Sequence, residues 1–336
     1  MSNLMIPKNY KSDLSLIETQ RAIKKIKDYF QQELAYGLRL RRVSAPLFVE
    51  PETGLNDNLN GVERRVEFTV KDMNEKTVEI VQSLAKWKRY ALGRYGIKPG
   101  HGIYTDMNAI RRDEEMDNLH SIYVDQWDWE RVMTKDERNE EFLHEIVEII
   151  YNSVKNLGDY VNRLYRDIQT EIPNEIYFIT TQELEDLYPN KTPKEREDLI
   201  CRDHGAVFLE KIGGDLKSGK PHDGRAPDYD DWELNGDILL WNEVLEKAFE
   251  ISSMGIRVDA KAMDRQLTLS GHDERRSQEF HQMILNDELP LSIGGGIGQS
   301  RLCMYFLRKA HIGEVQASVW PKEMREECRR HGINLL

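Results

Sequence analysis

Apolar residues recur along this chain at two spacings, and the switches between them mark out its elements. Ala22, Ile23, Ile26, Phe30 and Leu34 fall three and four apart, which predicts a helix from Ser15 to Tyr36. Ser15-Leu-Ile-Glu18 opens it as a capping box, each end satisfying a free N–H of the other. A strand is expected over Leu38–Val43, its extension ending at Pro46. Period-two runs at Val66–Val70 and Val78–Val81 predict antiparallel strands. Helical spacing returns at Leu84–Leu92 and most strongly over 134–168. There Thr134-Lys-Asp-Glu137 reads as the opening, and Phe142, Ile146, Ile149, Val154, Leu157, Val161 and Leu164 as the buried stripe. Strands are expected at Ile176–Ile179, Ala206–Ile212, Ile238–Trp241 and Ala248–Val258. A helix from Gly298 to Ala310 and a strand, Val315–Val319, close the pattern. Short neighbouring strands among a few long helices predict an α+β fold, a mostly antiparallel sheet flanked by helices, in one unit spanning 1–336.

Composition narrows the function. The chain carries 47 Lys and Arg against 59 Asp and Glu, a net charge of −12, which speaks against a broad nucleic-acid surface. No apolar run is long enough for a membrane span, and the opening MSNLMIPKNYKSD lacks the apolar core of a signal peptide. Cys201, Cys303 and Cys328 are odd in number and far apart, as expected of a cytoplasmic chain without a disulfide framework.

One segment imitates a nucleotide site. Gly214-Asp-Leu-Lys-Ser-Gly219-Lys220-Pro221 nearly matches the phosphate-binding loop that ends in Gly-Lys-Ser/Thr. Pro221 has no hydroxyl for magnesium, and His222-Asp-Gly-Arg-Ala-Pro227 cannot start the helix whose dipole would hold phosphate. The reading is a glycine- and lysine-rich surface loop over 213–225, with a lid over a nucleotide as its functional alternative.

Three segments carry candidate chemistry. In His120-Ser-Ile-Tyr-Val-Asp-Gln-Trp-Asp-Trp-Glu130, strand alternation puts Gln126, Asp128 and Glu130 on one face and Tyr123, Asp125, Trp127 and Trp129 on the other. Three polar groups in a row cost too much to bury without partners, so that face is a solvated sheet surface or a polar pocket. Two strands joined by a short connection could set Asp237 beside Glu250, an oxygen-only pair suited to Mg²⁺ or an ordinary charged hairpin. Glycines clustered from Gly294 to Gly298 before a helix let backbone approach a ligand, with Arg301 in the first turn able to stack on an aromatic base. Taken singly, the first is evenly balanced against a structural explanation, and the other two fit an ordinary structural role better.

In this order the segments resemble the catalytic core of class II aminoacyl-tRNA synthetases, the aspartyl and asparaginyl branch above all. Val43-Ser-Ala-Pro46 is similar to the proline-ended dimer strand of that class. Arg111, followed by Gln126-x-Asp128-x-Glu130, resembles its second motif, Glu250-Ile with Ile-Arg257 resembles the branch's pattern before the third, and Gly294–Arg301 resembles the third itself. Ser83 and Lys88 keep the Ser-x-x-x-x-Lys spacing of the aspartate-binding stretch. Two positions depart: Ala85 replaces a glutamine that holds the amino-acid end of the substrate, and Val124 replaces a phenylalanine that stacks on adenine. The anticodon-reading domain has no room before the first motif, so the resemblance points to an adenylating core with another acceptor. Over nearly its whole length, including Arg225-Ala-Pro-Asp-Tyr-Asp-Asp-Trp232, the chain resembles the ammonia-dependent asparagine synthetases.

That resemblance implies a homodimeric ligase whose substrates are aspartate, ammonia and ATP, with Mg²⁺ as cofactor and no nucleic-acid or membrane partner. It implies that Arg111 steadies the α-phosphate, that Asp237, Glu250 and Ser253 hold the metal, and that Arg301 stacks on adenine. Arg111, Lys88 and Gln126 are the expected catalytic residues, and Arg111, Glu250, Arg301 and Asp237 the expected nucleotide-binding ones. Asp57, Ser83, Lys88, Gln126, Asp128, Ser253 and Arg257 are expected at aspartate or ammonia. Transfer to tRNA or a protein lysine, and a non-catalytic nucleotide-binding paralogue, are the competing readings.

Overall fold

The computed structural model describes residues 4–59 and 63–336. Helix α1 (Leu16–Gly37) leads into strand β1 (Leu40–Arg42) and then a small sheet of β2 (Phe48–Val49), β3 (Glu67–Val70) and β4 (Lys76–Ile80). Helix α2 (Ala85–Arg94) precedes a long hairpin, β5 (Gly102–Ile110) and β6 (Tyr123–Val132). The long helix α3 (Glu140–Leu164), β7 (Tyr177–Thr180), α4 (Thr181–Leu187), α5 (Pro193–His204) and β8 (Ala206–Glu210) follow. A second long hairpin, β9 (Asp230–Asn242) and β10 (Lys247–Arg257), is followed by α6 (Ala260–Leu269) and α7 (Glu279–Leu285). Last come β11 (Ser292–Gly298), α8 (Gln299–Phe306) and α9 (Lys322–Arg330).

Eight strands form one sheet in the order β1-β5-β6-β11-β10-β9-β8-β7. Its interior pairings are antiparallel, and only the two edge pairs, β1 with β5 and β7 with β8, are parallel. This is the α+β architecture that the apolar pattern predicts. The sheet has two covered faces. On one, α1 and α3 bury their stripes against Trp127 and Trp129, with Phe30 packed on Trp127 at a ring separation of 4.9 Å. Burying two indoles and the aliphatic stripes of two long helices stabilises this layer by several kcal/mol, at about 25 cal/mol per Å² removed from water. On the other face, Trp87, Ala91 and Leu92 of α2 close a smaller core with Ile103, Met107 and Val132. Between the apolar ends of that second face lies a polar stretch, and the functional cleft is built there.

Three expectations need correction. The long helix opens at Asn139, whose side chain accepts from Phe142 N, and not at Thr134. Thr134 and Glu137 do bond as a box, at 2.6 and 3.0 Å, but the following charged residues offer no apolar face to bury. No strand forms over 315–319, because that segment runs on from a short 3₁₀ turn, Ile312–Glu314, with no neighbour to pair with. Leu164, counted in the buried stripe, is 39% exposed at the last turn of α3. Among the described residues no helix is long and apolar enough to cross a membrane, and the three cysteines are buried and unpaired.

Candidate functional site

Alternation along β6 sends Gln126, Asp128 and Glu130 to the face covered by α2, as the sequence predicts. Asp125, on the opposite face, pairs with Lys27 of α1 at 2.9 Å and accepts from Ser300 N and Oγ. The polar face is buried, not solvated, and its carboxylates are matched by cations. Glu130 is inaccessible to solvent and takes two bonds from the Arg257 guanidinium, Nε to Oε1 at 2.9 Å and Nη2 to Oε2 at 2.7 Å. Ser292 adds a third at 2.7 Å. Burial works against the ionised carboxylate, but Arg257 and Lys88 hold Glu130 below the usual glutamate range. Asp128 Oδ1 accepts from Lys88 Nζ at 3.0 Å, and the same ammonium bonds Gly295 O at 2.8 Å. Burial pushes the Lys88 pKa down, with Asp128 pulling the other way.

Room for these groups comes from what β11 lacks. A Cβ at Gly294 would overlap the Glu130 carboxylate and lie 2.5 Å from Arg257 Nη2. One at Gly296 would lie 2.9 Å from Asp128 Oδ1 and nearer still to Gln126 Oε1. The glycine run is therefore a floor under the side chains of β6 and β10, a stronger constraint than helix entry alone.

Strand β10 carries a one-residue register shift between Glu250 and Ser252, where Glu250 faces Leu239 and Ser253 faces Asp237. Alternation would put residues three apart on opposite faces; the bulge puts Glu250 and Ser253 on the same one, beside Asp237. A second shift, between Gly255 and Arg257, lets Arg257 reach Asp230 as well as Glu130. Asp237 also accepts from Arg225, at the end of the 213–225 loop. Burial and Glu250 raise the Asp237 pKa, and Arg225 and Ser253 act against the rise. Burial likewise opposes ionisation of Glu250, but Arg301, Arg225 and Lys194 hold it well down.

These residues surround a cleft of about 380 Å³ lined by Asp57, Ser83, Lys88, Arg111, Gln126, Asp128, Glu250, Ser253, Arg257 and Arg301, ten of the eleven expected site residues. Asp237 is the exception, because Arg225 takes its place on the wall. Ser83 lies two residues before α2 and accepts from Ala85 N at 3.1 Å. Arg111 makes one long bond, Nε to Gln82 O at 3.4 Å, and its terminal nitrogens have no partner among the described residues. Arg301 Nη1 donates to Glu250 O at 2.8 Å and lies 3.6 Å from that carboxylate. Asp57 is 1% exposed, and burial raises its pKa against the pull of Lys86 and Arg111.

Pattern reading passed over three residues here: Arg225, Asp230 and Glu130 as a charge partner. The run Asp228-Tyr-Asp-Asp231 was the available signal, since three carboxylates in four residues at a strand entrance need cations. Each has one: Asp228 binds Lys86 at 2.7 Å, Asp230 binds Arg257, and Asp231 binds Arg138 at 2.5 Å. The 213–225 loop is no phosphate cradle; it turns back on itself, Leu216 N to Lys220 O at 3.0 Å, and docks on α4 and α5 through Lys217–Asp186 and His222–Glu197.

Buried carboxylate–cation pairs, an arginine whose terminal donors have no partner among the described residues, and Glu250 backed by Asp237 suit a small zwitterion beside a polyphosphate. Solved structures with this fold include asparaginyl-tRNA synthetase from Entamoeba histolytica in complex with asparaginyl-adenylate. It superposes with a TM-score of 0.65 at 12% identity, covering 91% of this chain and 69% of that one. Aspartyl-tRNA synthetase from the same organism gives 0.60 at 14%, covering 89% and 58%. Curated relatives are much nearer in sequence: the aspartate–ammonia ligase of Clostridium tetani (strain Massachusetts / E88) is 61% identical over 333 residues, 99% of this chain and 98% of its own. That of Ruminiclostridium cellulolyticum is 60% identical over the full length of both. The family described as aspartate–ammonia ligase matches residues 17–332, and the chain belongs to it.

Proposed function

We propose that the chain makes asparagine from aspartate, ammonia and ATP through a β-aspartyl adenylate, releasing AMP and pyrophosphate. The observation that carries this reading is the pairing of Lys88 and Arg257 with Asp128, Glu130 and Asp230 in the cleft that Arg111 lines with terminal donors unpartnered among the described residues. Arg257 uses three of its five N–H groups on carboxylates, and Lys88 uses two of three on Asp128 and Gly295 O. The remaining donors suit the α-carboxylate of aspartate, with Asp128 and Asp230 beside its ammonium group. The β-carboxylate then attacks the α-phosphorus and pyrophosphate departs. Arg111 steadies the charge that builds on the α-phosphate oxygens. Arg301 stacks on the adenine, and Gln126, whose side chain has no partner among the described residues, holds the activated carbonyl. Ammonia attacks the carbonyl carbon of the mixed anhydride, the bond from that carbon to the bridging oxygen breaks and AMP departs with its electron pair, and the nitrogen gives up a proton. Asp57, within electrostatic reach of Arg111, is the carboxylate suited to orient ammonia and accept that proton.

Asp237, Glu250 and Ser253 fit a magnesium ion: Asp237 Oδ1 is buried with no hydrogen bond from the described residues, Ser253 lies beside that carboxylate, and the donors are all oxygens. Bound there, the ion would neutralise phosphate charge. Arg225, on Asp237 Oδ2, orients that carboxylate. A cytoplasmic homodimer is part of the same proposal, the dimer resting on Tyr36, Leu47, Phe48 and Phe68, large side chains left 89, 49, 48 and 40% exposed around the first strand and the small sheet. The test is product analysis with ATP, aspartate and ammonium. AMP, pyrophosphate and asparagine are expected. ADP with orthophosphate would overturn adenylation, and isoasparagine would mean that aspartate binds the other way round.

A further inference from the structure

The segment before α1 has no part in the chemistry above, yet it is fastened to the cleft. Met5 N donates to Asn118 Oδ1 at 2.7 Å, and Asn118 Nδ2 donates to Met5 O at 2.9 Å and Ala310 O at 2.7 Å. Ile312 N donates to Asn118 O at 2.8 Å. One side chain, 1% exposed, thus joins three stretches that lie more than a hundred residues apart in sequence. Two further ties run alongside. Tyr10 Oη donates to the Glu314 carboxylate at 2.9 Å, and Lys309 Nζ reaches Ser12 and Thr19, at 2.5 and 3.2 Å. Asn118 lies in the loop between β5 and β6, which begins with Arg111, and its neighbours Leu119, His120 and Ser121 line the cleft together with Ile312.

We propose that Asn118 is a positioning residue for ATP and that residues 4–14 act through it as a brace on the nucleotide end of the site. The proposal rests on the nucleotide reading given above. An asparagine suits the position because it offers one acceptor and two donors in one plane, and all three are used. Loss of the amide leaves the half-buried backbone groups of Met5 and the buried carbonyl of Ala310 unpaired, and the cheapest relief is a shift of the loop that carries Arg111 and Leu119–Ser121. Lys88, Arg257 and Asp128 are held from α2, β10 and β6, so the aspartate end does not follow.

The experiment compares Asn118→Ala, Met5→Pro and Tyr10→Phe in the full chain. Met5→Pro removes the N–H that Asn118 accepts, and Tyr10→Phe cuts a separate tie while keeping the ring. The readouts are ATP and AMP affinity by calorimetry, and KM for ATP and aspartate by pyrophosphate release. Asn118→Ala is expected to weaken nucleotide binding by roughly tenfold, about one buried hydrogen-bonding group, with KM for aspartate within about twofold. Met5→Pro and Asn118→Ala together should do no more than the worse of the two, since they break one junction. Tyr10→Phe should weaken nucleotide in the same selective way, so the idea remains testable should Asn118→Ala fold poorly. Equal losses for ATP and aspartate, additive effects, or unchanged nucleotide affinity in a folded variant would each overturn the brace. A wild-type chain that binds ATP but makes no adenylate would overturn the proposed reaction instead, leaving the calorimetric comparison intact.

Discussion

Arg257→Lys keeps one positive charge at the base of the cleft but exchanges a planar five-donor fork for a three-donor point. In the native chain Nε and Nη2 bond both oxygens of Glu130, at 2.9 and 2.7 Å, and Nη1 bonds Asp230. An ammonium in that place keeps one of the three bonds, so two charge-assisted bonds are lost. At about 1.5–3 kcal/mol for each hydrogen bond to a charged group, the loss is about 3–6 kcal/mol. Part of it falls on the folded state before any substrate arrives, since Glu130 and Asp230 stay buried with weaker compensation. In the proposed binding mode the remainder falls on aspartate, whose carboxylate loses the two arginine donors left over. If the loss divides evenly, the melting temperature of this 336-residue chain drops by roughly 2–4 °C, and KM for aspartate rises by roughly 10- to 100-fold. KM for ATP should move by less than about threefold, because no nucleotide-end residue bonds Arg257. Thermal melts and initial rates of pyrophosphate release, with aspartate and ATP varied separately, make the measurement. A variant that melts with the wild type and keeps its aspartate requirement would show that the fork is not what holds this region. An equal rise for both substrates would show that Arg257 acts on the whole cleft and not on aspartate.

Glu250→Gln should keep the fold and lower turnover at least about tenfold at limiting magnesium, since a neutral oxygen is a poorer ligand for a hard cation; unchanged magnesium dependence would rule Glu250 out as a ligand. Gly296→Ala should cost on the order of tenfold or more in kcat by driving a methyl toward Gln126 and Asp128, and a variant with native rates would mean that both side chains yield freely. His311 is fully buried, accepts from Gly313 N at 3.0 Å through Nδ1, and has its pKa pushed down to about 4 by burial. The unfolded chain therefore binds a proton that the folded one refuses between about pH 6.5 and 4, and stability falls as pH drops through that window. Melts of His311→Asn from neutral to acid pH should be flatter than those of the native chain; parallel curves would place the acid sensitivity elsewhere. Light scattering at assay concentration should give a mass of two chains, and a fully active monomer would refute the dimer.

The sequence carries the sheet-and-helix layout where a buried face repeats. Phe30 and Leu34 in α1, or Trp127 and Trp129 in β6, announce themselves through periodicity because one face of each element is dry. Helices α4 and α5 were legible too, through the boxes Thr180-x-x-Glu183 and Thr192-x-x-Glu195, but their short apolar stripes drew no notice. Strand β5 has no clean alternation, since most of its residues are buried whichever face they take. The segment 315–319 has the alternation of a strand and no partner, and pairing is a non-local fact that local pattern cannot supply. The site divides the same way. Residue types and order picked out Lys88, Arg111, Gln126, Asp128 and Arg257 through family likeness. The bulge at Glu250–Ser252 and the reach of Arg225 to Asp237 depend on register and on a loop's docking, so neither leaves a periodic trace.

The pairings at the base of the cleft also leave a remainder. In their ionised forms Lys88 and Arg257 bring two positive charges, and Asp128, Glu130 and Asp230 bring three negative ones. These five groups alone leave one negative charge, and Arg89, buried and bonded to the backbone carbonyls of Pro290 and Val258, acts on Glu130 as a further cation. An occupant with carboxylates alone would add negative charge beside Asp128 and Asp230, whereas one carrying an ammonium group offsets theirs. In the proposed binding mode the amino group of aspartate lies against Asp128 and Asp230, and that contact is what would favour an amino acid over a plain dicarboxylic acid. Succinate, with both carboxylates in place and no nitrogen, should compete with aspartate poorly even at concentrations that fill the nucleotide end.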